Sequence, residues 1–218
     1  MRKGDLFFDV GANWGEKLEI VKNMGVKTVG FEPQKICYDA LKQKYTQNVS
    51  LENIALSDKQ GEMEMYISNA DTLSTLSKDF ITKTSEQKGR FSQYTWEDKV
   101  IVEVDTLENM IQKYGKPRFI KIDVEGFEEF VLKGLKTPVD YISFEFTVPE
   151  LHQNLINCVE LINTIYSGKA MFNVCQGSTY VYQYSSWKNY SEFIELINKD
   201  EFINIGGGDV YVKSEEVY

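Results

Sequence analysis

Apolar positions along the chain fall alternately into short continuous runs and into runs spaced by three or four, the pattern of strands followed by helices. Leu6 to Val10 predicts a buried strand, and Glu16 to Met24 a helix with apolar Leu18, Ile20, Val21 and Met24, stopped by Gly25. Thr28 to Glu32 is the next strand, ended by Pro33. Ile36 to Tyr45 is the second helix, and a third strand lies around Leu51 to Leu56. After the turn cluster SDKQG at 57–61, EMEMYIS alternates with one wet face and predicts a hairpin on the third strand. Periodicity disappears over 69–98, a stretch filled with Ser, Thr, Asp and Lys, which predicts a lid or acceptor-binding loop more than a packed element. It returns with the strand KVIVEVD, a helix over Leu107 to Tyr114, the strand RFIKID, the helix FEEFVLKGL, the strand YISFEF and an amphipathic helix from Glu150 to Tyr166. MFNVC, TYVYQY and DVYVK read as the last strands, with a helix at Ser191 to Asn198 between the final two. The fold class is α/β, a Rossmann-like doubly wound sandwich with a mostly parallel central sheet and an antiparallel C-terminal strand.

Composition narrows what this sheet is for. The 218 residues are 42% hydrophobic, which suits one well-cored domain over 1–218. A net charge of -9 with no basic run disfavours nucleic acid and anionic membrane as partners, so a small-molecule or neutral-polymer substrate is expected. Cys37, Cys158 and Cys175 have neither CxxC spacing nor an even count and are expected as buried apolar filler. No signal peptide and no apolar stretch near the roughly 20 residues of a membrane span is seen, so the expected setting is cytoplasmic.

Ligands of such sheets bind outside the carboxyl ends of the strands, and acids gather there: Asp9, Glu32, Asp123, Glu125 and Glu145. The first of these ends opens into Gly11, Ala12, Asn13, Trp14 and Gly15. A dinucleotide fingerprint needs a middle glycine that is missing here, and no G-x-x-x-x-G-K-[ST] phosphate loop is present. Asp9 would repel a pyrophosphate and attract an ammonium group. Glu32, 21 residues beyond Gly11, stands where an acid binds both hydroxyls of a ribose. An adenosine with a cationic tail, S-adenosylmethionine, suits these two acids better than a dinucleotide does. The plainer reading of GANWG alone is a tight turn, and Trp14 reads as a packing residue on the first helix.

Five segments in order, FFDVGANWGE, VGFEP, NIALSDKQGEMEMY, VDTLENM and IKIDVEGFEEFVLKG, resemble the FkbM-type family of S-adenosylmethionine-dependent methyltransferases over about residues 6–146. The resemblance implies the class I methyltransferase fold and acceptors that are hydroxyls of sugars or of glycosylated and polyketide products. It implies that Asp9, Gly11, Ala12, Asn13 and Gly15 hold the methionine moiety, Glu32 with Pro33 the ribose, and Asn53, Ala55 and Ser57 the adenine. Glu108 departs from the family, which commonly has Asp after TL, and the first strand begins within a few residues of Met1, where members usually carry helices first. The expectation is a trimmed member or a domain of a longer polypeptide, with other domains of a glycan-processing enzyme as partners.

Methyl transfer to a hydroxyl needs alignment and removal of the acceptor's proton. Asp123 is the first candidate, as base, hydroxyl anchor or holder of a divalent metal; a metal is not favoured. Its plainer role is to cap the following helix. Glu125 and Glu145 are further catalytic candidates, while Glu128 and Glu129 are explained by the helix dipole. His152, the only histidine, is expected in the first turn of a helix at the same rim, where a neutral imidazole would suit a base; a packing role competes. Residues 69–80 and 89–96, rich in hydroxyls and aromatic rings, suit a carbohydrate, with an ordinary solvated loop as the alternative, and YVYQYSSW at 180–187 offers similar material. The expected activity is O-methylation of a sugar in a glycan or glycosylated metabolite. Alternatives are methylation of another small molecule, metal-assisted, and a non-catalytic S-adenosylmethionine-binding module of a glycan-assembly enzyme.

Overall fold

A computed structural model describes residues 1–45, 47–86, 89–177, 179 and 181–216. The chain opens as β1 (Leu6–Val10), α1 (Glu16–Lys22), β2 (Lys27–Phe31), α2 (Lys35–Lys44) and β3 (Val49–Glu52). There follow β4 (Ala55–Leu56), β5 (Gly61–Ile67), α3 (Lys78–Glu86) and β6 (Asp98–Asp105). The remainder is α4 (Leu107–Tyr114), β7 (Phe119–Ile122), α5 (Glu128–Lys133), β8 (Tyr141–Thr147), α6 (His152–Ile165), β9 (Ala170–Gln176), α7 (Tyr190–Ile197), α8 (Asp200–Ile203) and β10 (Gly207–Ser214). Seven strands form the central sheet in the order β3-β2-β1-β7-β8-β10-β9, all parallel except β10, which runs antiparallel between β8 and β9.

The two faces of this sheet differ chemically because side chains alternate along each strand. Phe8, Val10, Ile120, Ile122, Ile142, Phe144, Val210 and Val212 point to one face and form the main core with Met110 of α4, Val131 of α5, Leu155 of α6 and Phe193 of α7. On the other face Phe7 packs with Val21 of α1, and Leu18 of α1 with Leu41 of α2. That second face also carries buried polar groups, Asp9, Lys121, Ser143 and Asn173, placed side by side by the strand registers. The buried free cysteines are filler, as expected.

Four expectations are corrected. The run Leu51 to Leu56 breaks at Asn53, whose side-chain amide donates to the carbonyls of Glu32 and Pro33 at 2.9 and 3.0 Å, and its second half leaves the sheet as β4. EMEMYIS therefore does not hairpin on β3: β5 pairs antiparallel with β6 in a separate sheet of order β4-β6-β5, which lays Met65, Val102 and Val104 on the core. The stretch 69–98 is not irregular, because it holds a 3-10 turn at Asp71–Leu73 and α3. Its helical signal is weak since α3 buries mainly Phe80 and Thr84, one turn apart, with Phe80 edge-on to Phe91 and Trp96. TYVYQY is not a strand in its described part: Tyr182 makes one isolated bridge to Cys175, and the Asn173 side chain takes the place of a ladder by bonding both the N–H and C=O of Tyr184. Tyr180 lies outside the described residues.

Glu108 ties the end of α5 to α4. Its carboxylate accepts from the amides of Lys136 (3.0 Å) and Thr137 (2.9 Å) and from the Thr137 hydroxyl (2.8 Å). Glu108→Ala is expected to cost about 1–3 kcal/mol, read as a lower urea midpoint with an unchanged m value.

Candidate functional site

The loop after β1 crosses the carboxyl end of β7 at very short range. A Cβ on Gly11, whose φ is 80°, would lie 1.9 Å from the Asp123 carbonyl oxygen, so only glycine passes there. Its amides are all used internally. Gly11 and Ala12 both donate to the Phe31 carbonyl at 3.0 Å, Asn13 to Glu32 Oε2 at 2.7 Å, Trp14 to Asn13 Oδ1 at 2.9 Å and Gly15 to the Ala12 carbonyl at 2.8 Å. A phosphate cradle needs several such N–H groups turned toward the ligand. This loop offers none of those five to an anion.

Beside it lies a cavity of about 290 Å³, walled by residues 11–14, 32–34, 54–56 and 123–125 and by Asp71, Thr72 and Ser74. Glu32 accepts from Asn13 on one oxygen and from the Gln34 amide (2.7 Å) on the other, which leaves each oxygen a second lone pair for a ligand hydroxyl. Burial pushes Glu32 up to about 7 against the pull of those bonds from Gln34 and Asn13. Phe31, Ile54, Leu56, Met65 and Leu76 make one part of the wall apolar, the surface a flat heteroaromatic ring needs. Gly11, Ala12, Asn13, Pro33 and Ala55 line the cavity. Four other expected cofactor residues stand behind it. Gly15 packs on Leu41 and Tyr45 of the α2 side, Asn53 clamps the backbone of Glu32 and Pro33, and Ser57 is fully buried with its amide on the Asp105 carbonyl. Asp9 is 2% exposed, and its Oδ2 has no hydrogen-bond partner among the described residues. Burial pushes Asp9 up to about 7, opposed by Lys121.

At the β7 end of the cavity, Asp123, Glu125 and Glu145 each bring a carboxylate oxygen within 4.8 Å of the others. Lys121, 6% exposed, reaches Asp123 at 3.0 Å and Asp209 of β10 at 2.8 Å. Burial works to raise the Asp123 carboxyl, but Lys121 and a hydrogen bond with Glu145 hold it below the usual range. Burial, then repulsion by Asp123, drives Glu125 and Glu145 well above theirs. Within the cluster Asp123 therefore gives up its proton more readily than either neighbour. Glu125 also sits at φ 53°, a backbone conformation a side-chain-bearing residue rarely adopts.

Asp123 does not cap α5. That helix starts at Phe127 without a side-chain cap, and Glu128 instead folds back to accept from the amides of Val124 and Gly126, both at 3.2 Å. Glu128, read from sequence as a dipole partner alone, is buried and shapes the 124–126 loop. Glu129 bonds Lys133 and Asn157. His152 is the first residue of α6, as expected, but its Nε2 lies 2.8 Å from the Ile197 carbonyl at the end of α7, and it does not line the cavity. Its packing reading is the one the geometry supports. Trp14 does not pack on α1: its side of the loop is 45% exposed and its Nε1 donates to Asp71 Oδ2 at 2.7 Å across the cavity. Sequence reasoning missed Gln34, Asp71 and Asp209, whose partners lie far along the chain, and passed over Lys121, whose alternation with Asp123 on β7 was the available signal.

A parallel sheet with one late antiparallel strand, a glycine loop closed to phosphate and a buried strand-end acid on the cavity wall are the features of a class I methyltransferase. Residues 9–184 match the family model described as the methyltransferase FkbM domain, and the chain belongs to that family of S-adenosylmethionine-dependent methyltransferases. Methyltransferase sdnD of Sordaria araneosa is 31% identical over 152 residues, a match spanning 58% of this chain and 59% of that protein. Among solved structures, precorrin-6y C5,15-methyltransferase from Geobacter metallireducens aligns with a TM-score of 0.48 at 10% identity, over 98% of this chain and 81% of that one. A TehB-like SAM-dependent methyltransferase from Corynebacterium glutamicum aligns with a TM-score of 0.48 at 10% identity, over 98% and 82%.

Glu128 provides a pH test of the rim. Burial raises it to about 7, above its unfolded value of 4.5, so the folded state holds its proton more tightly. The stability this gives is complete below pH 4.5 and is lost as pH rises through 7. Glu128→Gln keeps an oxygen for both amides and does not ionise. Its melting midpoint relative to wild type is therefore expected to climb between pH 4.5 and 8; a pH-independent difference would contradict the assignment.

Proposed function

We propose that this domain moves a methyl group from S-adenosylmethionine to a hydroxyl of a sugar, within a glycan or a glycosylated metabolite, in a cytoplasmic setting. The observation that carries the donor assignment is Glu32, fixed by two amides with a free lone pair on each oxygen, beside a loop that has no amide to spare for phosphate. Family membership supports it independently. Among the described residues no helix is long and apolar enough to cross a membrane.

S-adenosylmethionine supplies a methyl group already activated by its sulfonium, so the protein's part is placement and the fate of one proton. Glu32 takes the two ribose hydroxyls, and Ile54, Ala55 and Leu56 provide the wall for the adenine in place of the expected Asn53, Ala55 and Ser57, of which only Ala55 lines the cavity. The unpartnered, buried Asp9 oxygen supports a role for negative charge under the methionine end. Asp123 accepts the acceptor hydroxyl's hydrogen bond and receives its proton as the carbon–oxygen bond forms. Because Lys121 favours the ionised form of Asp123, that carboxylate is ready to accept; Glu125 and Glu145, which burial and Asp123 push toward the protonated form, serve as donors to a neighbouring acceptor oxygen. Thr72 and Ser74, on the wall, suit sugar hydroxyls. The rings of Phe91 and Trp96 are engaged with Phe80, which leaves the sugar choice resting on polar groups.

A second reading, a metal-assisted transfer to another small molecule, is favoured by the 4.8 Å spacing of three carboxylate oxygens, the kind of donor set a divalent cation takes. Chelator treatment separates the two: full activity in its presence removes the metal.

With labelled S-adenosylmethionine and a panel of sugars and glycosides, label is expected in an acceptor hydroxyl; transfer to carbon or nitrogen alone would overturn the hydroxyl assignment. Asp123→Asn is expected to lower kcat by about 100-fold or more, with S-adenosylhomocysteine affinity within a few-fold of wild type by calorimetry. Glu32→Ala is expected to lose detectable S-adenosylhomocysteine binding in the same measurement.

A further inference from the structure

The cavity has a strap on its solvent side. The 3-10 turn Asp71–Leu73 buries none of its residues, yet it is tied to the opposite wall twice, by Trp14 Nε1 to Asp71 Oδ2 at 2.7 Å and by Gln34 Nε2 to the Asp71 carbonyl at 3.1 Å. Trp14, Gln34, Asp71 and Thr72 all line the cavity, while Trp14 and Thr72 also face water. On either side of the turn the chain is fixed. The Asn69 amide donates to the Thr95 carbonyl at 3.0 Å, and Thr75 exchanges both backbone bonds with Tyr66 at 2.8 and 3.0 Å.

We propose that residues 70–72 form a clasp, latched by Trp14 and Gln34 through Asp71, that opens to admit S-adenosylmethionine and to release S-adenosylhomocysteine. The inference rests on the reading of this cavity as the cofactor site. Opening breaks the two latches, a charge-assisted one at exposed Trp14 and a neutral one at buried Gln34, and strains the Ala70 amide's bond to Ser68 Oγ (3.2 Å), but exposes no buried side chain of the turn, so its cost is small beside that of moving any strand or helix around it. Closing brings the indole and the Asp71 backbone over the ligand and leaves the anchors at 69 and 75 in place. Trp14 thus works on the cofactor by holding the turn, and Asp71 is the point where both latches meet.

A gate and a simple contact leave different kinetic traces. A contact changes dissociation only; a latch slows passage in both directions. The test is surface plasmon resonance of S-adenosylhomocysteine on tethered wild type, Trp14→Phe, which keeps the ring and removes the donor, and Asp71→Ala. Folding of each variant is checked by circular dichroism, and Asp71→Ala carries the test if Trp14→Phe does not fold. Association and dissociation rates are both expected to rise about tenfold, the factor for losing one charge-assisted hydrogen bond, with the equilibrium constant changing less than either. Rates within twofold of wild type, or a faster dissociation with unchanged association, would overturn the clasp while leaving the cofactor site intact. Failure of wild type itself to bind would overturn the cofactor reading and the clasp with it.

Discussion

The buried carboxylate of Glu32 is the interaction on which the rest of the site depends. A carboxyl group at 2% exposure is tolerated only when its oxygens are satisfied, and here the two partners are backbone amides from different loops, Asn13 after β1 and Gln34 before α2. The same carboxylate therefore sets the spacing of both loops. Asn13 is held at φ 44°, and the loop is carried past the end of β7 with no room for a side chain at Gly11. From the main-chain side Asn53 bonds the carbonyls of Glu32 and Pro33, so the strand ends of β2 and β3 are locked around the acid.

The second organising element is a lysine among acids. Burial favours loss of the Lys121 proton, but Asp123, Asp209 and Glu145 outweigh it and hold the group well above the ordinary lysine value. One cation thus sorts the carboxylates around it. Asp123, in direct contact, is held below the usual carboxylate range, and Glu125 and Glu145, close to Asp123, are pushed above it.

The first half of the sheet and the β7–α5–β8–α6 unit were legible because their apolar positions keep a clean period and their strands end in acids, Pro or Gly. The cavity rim was legible for the same reason: the rule that ligands sit at strand ends picks out Glu32 and Asp123, and both line the cavity. Gly15, Asn53 and Ser57 were assigned to that rim by position in a motif, and position does not say whether a side chain faces the cavity or the layer behind it. Partner choice was not legible. Whether β5 pairs with β3 or β6 is decided by which apolar edge reaches the core, and α3 presents too narrow an apolar stripe to register. The bonds Lys121–Asp209 and Trp14–Asp71 join residues 88 and 57 positions apart, and no local pattern marks them. His152 shows the converse limit, since a helix start can be read while the direction of its first side chain is set by the α7 carbonyl it meets.

The antiparallel strand has a consequence in time. β10 comes from residues 207–214, after the family-matched span, yet it occupies an interior slot between β8 and β9 and delivers Asp209 to Lys121. A chain made from its amino end has Glu32, the glycine loop and Asp123 in hand long before that strand exists. Until β10 slides into its slot, β8 and β9 lack their shared neighbour and Lys121 has lost one of its two counter-charges. The donor pocket can therefore take shape early in synthesis, while the charge pattern around Lys121 waits for β10.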